Sequence, residues 1–98
     1  MSLETCQTSG VLAVGTTVVS ARPCKISGIV LNPAAAACSV TIYDNPTAGS
    51  GTVIAILTAT ANGPSATNFT TLPIECKSGA TAVVAGTGAQ ANVYFSAL

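Results

Sequence analysis

The chain has 98 residues, of which 49% are hydrophobic and only 6% are charged: three Lys or Arg, three Asp or Glu, and no His. Soluble domains normally carry about 25% charged residues. The sequence therefore lacks the charge with which a monomer usually covers its surface, and large exposed apolar patches usually mark contacts with other proteins. Its three cations, Arg22, Lys25 and Lys77, are too few to neutralise phosphates, which excludes nucleic acid as a partner.

The length predicts one domain with its own core. No apolar run reaches the ~18 residues of a membrane span, and the N-terminal segment lacks the basic stretch that opens a signal peptide. We therefore expect a protein that is made and kept inside a cell until it assembles with other chains. The alternative is a monomer whose surface is covered by Thr and Ser.

The first ten residues carry Glu4 and polar neighbours without any periodicity. We predict an N-terminal arm over residues 1–10, free or docked on a neighbour, followed by a single β domain over residues 11–98. Short blocks of Val, Ile and Thr separated by Gly, Pro and Asn are typical of strands and turns. Seven strands are predicted, at residues 11–20, 25–31, 38–43, 52–61, 68–76, 80–85 and 91–97.

Individual residues set limits on these strands. Gly15 marks a bulge or a break within the first strand, and Asn32 followed by Pro33 ends the second. The alanines at 34–37 are too few for a stable helix and belong to a connection. Pro73 restricts the fifth strand to an edge or a bulge, because Pro cannot donate a ladder hydrogen bond.

Strict alternation in the third and last strands places apolar residues on one face and polar residues on the other. Tyr43 and Tyr94 fall on the polar faces, where aromatic side chains often serve contacts; a Tyr that covers the rim of its own sheet is an equal alternative. The polar stretch at 44–51 predicts an exposed, variable loop.

The fourth strand is apolar on both sides in its first half, because Ile54 and Ile56 interrupt the polar positions. Such a strand is either central in a sandwich or lends its outer face to a partner. Seven short strands with turn signals every 8 to 12 residues predict an all-β fold, an antiparallel β-sandwich or a jelly-roll-like barrel.

The sequence offers few residues that could take part in catalysis. The sequence has no His, the commonest general base, and its carboxylates Glu4, Asp44 and Glu75 fall in an arm, a turn and a strand end. Nothing pairs any two of them. We expect no enzymatic activity, no catalytic residue and no cofactor.

Four cysteines occur, at 6, 24, 38 and 76, without a C-x-x-C pair. Zinc binding is disfavoured because ligand spacing and His are both lacking, so no metal site is predicted. Buried thiols that act as small hydrophobes are the main expectation, and one or two disulfides formed after release are the alternative.

The segment at 16–29, TTVVSARPCKISGI, continues into Asn32, Pro33 and Ala34 and then into the strand VTIYD at 40–44. This pattern resembles small β-sandwich virion proteins of tailed bacteriophages, and the resemblance covers residues 11–61. It implies a capsid cement, or decoration, protein that sits as a homotrimer on the outer surface of the head after synthesis in the host cytoplasm. A receptor- or glycan-binding domain of a head or tail fibre is the alternative.

A cement protein acts through surfaces and not through a catalytic triad. Its expected partners are further copies of itself and the major capsid protein, with neither nucleic acid nor membrane. The residues predicted to make subunit contacts are Leu3, Val11, Leu12, Ile54, Ile56, Tyr43 and Tyr94.

Overall fold

The computed structural model describes residues 7–97, and for residues 69–73 it describes the backbone alone. Within this part of the chain there are eight β-strands and no helix. The strands are β1 (Gln7–Thr8), β2 (Gly15–Ser20), β3 (Cys24–Asn32), β4 (Cys38–Tyr43), β5 (Val53–Ala59), β6 (Ala66–Cys76), β7 (Ala80–Ala85) and β8 (Gln90–Ala97).

Two four-stranded sheets pack face to face. Sheet A has the order β1-β8-β3-β6 and sheet B the order β2-β7-β4-β5, and every neighbouring pair is antiparallel. The predicted antiparallel β-sandwich is confirmed. An isolated bridge between Leu12 and Ala91 adds a ninth paired segment to the eight strands, so the described chain has more paired segments than the seven predicted.

The core lies between the sheets and consists of small branched side chains and Ala. Alternate residues point inward, because successive side chains of a strand face opposite ways. The largest fully buried side chains come from both sheets and include Ile26, Ile29, Leu31, Val40, Ile42, Val84 and Val93.

A β-bulge in β3 changes which residues of that strand face the core. The register with both neighbours shifts between Ile26 and Gly28. One extra residue reverses the alternation, so the inward positions pass from Ile26 to Ile29 and Leu31, each at most 2% exposed. The strand stays buried along its length despite this interruption.

The described part of the predicted arm lies on the chain's own sheet A. Gln7 and Thr8 pair with β8, and the N–H of Ser9 donates a 2.8 Å hydrogen bond to the carbonyl of Val93. The sequence around Gln7 lacks alternation because a two-residue edge strand is too short to display any. Residues 1–6, and Leu3 with them, lie outside the described residues.

Several of the predicted strand boundaries and positions agree with the structure. The strands at 38–43 and 80–85 are β4 and β7, residues 34–37 form a connection, and β6, which contains Pro73, is an edge strand. The first predicted strand is shorter than expected, because β2 begins only at Gly15, whose φ is 132°.

Candidate interaction surface

The outer face of sheet B is built from three rows of side chains that run across its strands. Strand register places Val18, Thr81, Tyr43 and Val53 in one row and Thr16, Val83, Thr41 and Ile56 in the next. Ala85, Ser39 and Thr58 form the third. These eleven residues are called the uncharged face, because none of them carries a charge.

These side chains point outward because their neighbours along each strand form the core. On β4, Val40 and Ile42 are fully buried, so the residues between and beside them face solvent. On the uncharged face Ile56 is 59% exposed, Val53 is 46% exposed and Val18 is 42% exposed. Large apolar side chains this exposed, on a face without charge, are typical of surfaces that contact other proteins.

The loop between β4 and β5, residues 44–52, folds back onto the uncharged face. The hydroxyl of Thr81 donates a 2.7 Å hydrogen bond to the carbonyl of Asn45, and Thr81 is fully buried. Gly49 lies so close to β7 that a Cβ added to it would be 2.5 Å from Cγ2 of Val83. The loop predicted to be exposed and variable is therefore anchored along β7, although Thr47, Ala48 and the residues at 50–52 remain exposed.

The side chain of Asn45 shapes this loop from within. Its Oδ1 accepts 2.9 Å hydrogen bonds from the N–H groups of Thr47 and Ala48, and its Nδ2 donates a 3.0 Å bond to the carbonyl of Ser50. An Asn that bonds the backbone two residues onward forms an Asx turn. The compact loop thus has a local cause in the sequence.

Asp44 fastens the base of the loop to the connection between β6 and β7. Its Oδ1 accepts a 2.9 Å hydrogen bond from the N–H of Ser78, and its own N–H donates a 2.8 Å bond to the carbonyl of Thr52. The Ser78 bond is the main cause that lowers the pKa of the Asp44 carboxyl, and the charge of Lys77 adds to it. This carboxylate has a structural partner, in keeping with its place at a turn.

Charge is confined to one end of the sandwich. Arg22 precedes β3, Lys25 of β3 lies opposite Glu75 of β6, and Lys77 follows β6. Asp44 bonds to Ser78 at the same end. These are all the charged residues among 7–97.

The other end, where β3 ends and β4 begins, has no charged residue among the described positions 7–97. It is formed by the connections at 9–14, 33–37, 60–65 and 86–89, which we call the uncharged end. Val11 is 65% exposed and Val14 is 50% exposed there. Two uncharged surfaces are thus present on one small domain.

The outer face of sheet A is different in chemistry. It presents Lys25 opposite Glu75, and Ser96 and Asn92 on β8. Tyr94 also faces outward here, opposite Gly28, which is buried although it has no side chain. Tyr94 is half-buried at this position.

Tyr43 and Tyr94 consequently lie on the outer faces of different sheets, which in sandwiches pack about 10 Å apart. They do not form one aromatic platform.

The other predicted contact residues are distributed as follows. Ile56 and Tyr43 lie on the uncharged face, and Val11 lies at the uncharged end. Leu12, which is 6% exposed, belongs to the chain's own core, and Ile54 is half-buried against that core. Leu12 is therefore closed to a partner, and Ile54 is open only in part.

Sequence reasoning missed Val53, Val18 and Val14. The register between β4 and β5 shifts between Ile42 and Tyr43, so Ile42 faces Ala55 while Tyr43 faces Val53. The extra residue turns Val53 outward and Ile54 toward the core. The glycines at 49 and 51 signal an irregular entry to β5, but they do not reveal which residue the bulge contains.

Three cysteines are described, and all are buried free thiols: Cys24, Cys38 and Cys76. Burial raises the pKa of Cys24 and raises that of Cys76 to about 12, so these two thiols stay protonated near neutral pH. The expectation of buried thiols is confirmed for these three positions, and Cys6 lies outside the described residues. Residues 7–97 contain no group of three or more His, Cys, Asp or Glu that could hold a metal ion.

Comparison of the chain with protein-family models, with curated proteins and with solved structures finds no match. Among the described residues, no helix has the length and apolarity to cross a membrane.

Proposed function

We propose that this chain is a structural virion protein, a capsid cement protein that stabilises a bacteriophage head by binding across neighbouring capsid subunits. The observation that carries the proposal is the uncharged face, with Val18, Val53 and Ile56 each more than 40% exposed. The outer face of sheet A, by contrast, carries the charged residues Lys25 and Glu75. The resemblance of residues 11–61 to small virion proteins of tailed bacteriophages supports a phage capsid as the partner.

The chemistry of the uncharged face suits permanent contact. Val, Ile and Thr side chains are short, so a partner surface approaches the sheet closely and leaves few gaps. No charge must be desolvated when the two surfaces meet, and an unpaired buried charge is the most costly feature of an interface. Apolar burial contributes about 25 cal/mol per Å².

A cement protein needs more than one contact. The uncharged face and the uncharged end, with Val11 and Val14, give one chain two separate surfaces for a second copy of itself and for a major capsid protein. A homotrimer on the outer capsid surface uses both. No substrate, cofactor or chemical step is needed, since stabilisation of the shell is the whole activity.

The proposal is tested by the effect of the chain on purified capsid shells of the virus that encodes it. Shells that lack the chain are mixed with the wild-type protein, and bound protein and the temperature of shell rupture are measured. We expect saturable binding and a higher rupture temperature. Failure of the wild-type chain to bind these shells would overturn the proposal.

Two charge substitutions identify the surface. Ile56→Asp places a carboxylate on the uncharged face, and we expect it to weaken binding to shells or self-association at least tenfold. Thr67→Asp places the same charge on the exposed surface of β6 in sheet A and serves as the matched control. Equal effects of the two substitutions would contradict a role for the uncharged face.

A glycan array separates the proposal from the fibre-domain alternative. The cement protein is expected to bind shells and no glycan. Binding to glycans without binding to shells would reject the cement function in favour of a receptor-binding one.

A further inference from the structure

The sandwich contains one pair of cysteines in register. Cys24 at the start of β3 lies directly opposite Cys76 at the end of β6, and both are fully buried. Directly opposed residues of an antiparallel pair project to the same face of the sheet, so both buried side chains point into the core at the same place. Directly opposed residues of antiparallel strands have Cα atoms about 4.5 or 5.5 Å apart, within the range of about 4.4–6.8 Å that disulfides span.

We propose that Cys24 and Cys76 form a cross-strand disulfide when the chain folds in the presence of a small-molecule disulfide such as oxidised glutathione. This modification is independent of capsid binding. The thiolate of one cysteine attacks a glutathione sulfur, forms a mixed disulfide and releases one glutathione thiolate. The thiolate of the second cysteine then attacks the protein sulfur of the mixed disulfide and releases the other glutathione. The protein pair loses two electrons and two protons, and one oxidised glutathione becomes two reduced ones.

Access decides when this exchange takes place. In the closed sandwich both sulfurs are shielded from solvent and both thiols are held protonated, and exchange requires a thiolate. Reaction therefore occurs before the sheets close or during local opening. β6 is an edge strand and pairs in sheet A with β3 alone, so its detachment exposes both cysteines at once.

The third described cysteine has no such partner. Cys38 lies in sheet B and pairs with Ala59 across β4 and β5. Among the three described cysteines, the folded register therefore places only Cys24 opposite Cys76. The resulting bond would tie the exposed edge of sheet A to its central strand at the charged end of the sandwich.

The test is oxidative refolding of the full chain. Reduced protein is unfolded, refolded with a mixture of oxidised and reduced glutathione, and treated with an alkylating agent before its intact mass is measured. We expect two of the four cysteines to escape alkylation, with a mass about 2 Da below that of the reduced chain once the alkyl groups are counted. Trypsin cleaves after Lys25 and Lys77, so the bond should link the peptides 1–25 and 26–77.

A double variant assigns the bond. The double variant Cys6→Ser, Cys38→Ala keeps only Cys24 and Cys76. If two thiols of the monomeric variant escape alkylation, the Cys24–Cys76 disulfide is the one explanation. The oxidised form should melt about 10 °C above the reduced form, and a reductant should remove this difference. The matched control adds Cys24→Ser to this double variant, which leaves Cys76 as its one cysteine, and its melting temperature should not rise with oxidant.

Each outcome decides the inference. If the double variant does not fold, the linked peptides of the wild-type chain are fragmented in the mass spectrometer to locate the two sulfurs. A bond that uses Cys6 or Cys38, or four alkylated thiols after refolding with oxidant, would overturn the proposal.

Discussion

The hydroxyl of Thr81 donates a 2.7 Å hydrogen bond to the backbone carbonyl of Asn45, and this bond holds the β4–β5 loop against sheet B. Thr81 is the only polar residue found fully buried in the described chain. It faces outward from its sheet and is covered by the loop itself. The loop is therefore part of the folded surface and lies over Thr81, one of the residues of the uncharged face.

Removal of this hydroxyl should destabilise the protein. Thr81→Val keeps the shape of the side chain but leaves the Asn45 carbonyl without its donor, and we expect a loss of about 1–2 kcal/mol in the free energy of unfolding. Urea denaturation measures the change. Thr67→Val, on the exposed surface of β6, is the control and should change stability by less than about 0.5 kcal/mol. Equal changes in the free energy of unfolding of the two variants would mean that the hydrogen bond from Thr81 to Asn45 contributes nothing.

Gly49 tests the same loop by steric means. Gly49→Ala puts a methyl group 2.5 Å from Cγ2 of Val83, so we expect the loop to lift and stability to fall by about 1–3 kcal/mol. Amide hydrogen exchange should quicken across residues 44–52. Adding Val83→Ala removes the clashing methyl, and the double variant should lose less than the sum of the two single variants. Additive losses would show that the two side chains do not meet.

The general architecture was predictable because it depends on alternation. In β4 the alternation is unbroken, and the limits of β4 and of β7 follow from the sequence to the residue. The edge position of β6 is one of the two outcomes that Pro73 allows, an edge or a bulge, because Pro cannot donate a ladder hydrogen bond. The sandwich architecture follows from the many short strands that are separated by turn residues.

The candidate surface was only partly predictable, because single-residue irregularities decide it. The bulge at the start of β5 exchanges the sides on which Ile54 and Val53 lie, and no local property of either side chain reveals this. The docking of the loop depends on Thr81, a residue 36 positions from Asn45. A contact of that range is invisible to a reading of local pattern.

Salt distinguishes an apolar contact from an ionic one. The uncharged face has no ion pair to be screened, so raising sodium chloride from about 0.05 M to about 1 M should leave self-association or shell binding unchanged or slightly stronger. Analytical ultracentrifugation across this range measures it. A steep loss of binding with salt would point to the charged end, around Lys25 and Lys77, as the contact.

Acid should weaken the base of the loop through Asp44. The N–H of Ser78 lowers the pKa of this carboxyl in the folded state, so the folded protein binds the proton less readily than the unfolded chain, where the pKa is about 3.9. The stabilisation is present above about pH 4 and is lost as the pH falls through the lower folded value. Asp44→Asn should therefore melt below the wild type at about pH 7, and the difference should shrink as the pH falls through the lowered folded pKa of Asp44. A difference that stays constant with pH would show that charge plays no part.

Two isoleucines on neighbouring strands of sheet B test which side of the sheet is core. Ile42 on β4 is fully buried, whereas Ile56 on β5 is 59% exposed. Ile42→Ala removes three buried carbon atoms and leaves a cavity, so we expect a loss of about 2–5 kcal/mol in the free energy of unfolding. Ile56→Ala, measured in dilute solution where the chain is unassociated, should change it by no more than about 0.5 kcal/mol. If association buries Ile56, the same substitution should weaken the assembly while leaving the isolated chain stable. A large loss from Ile56→Ala in the monomer would place this side chain in the core and remove the basis of the uncharged face.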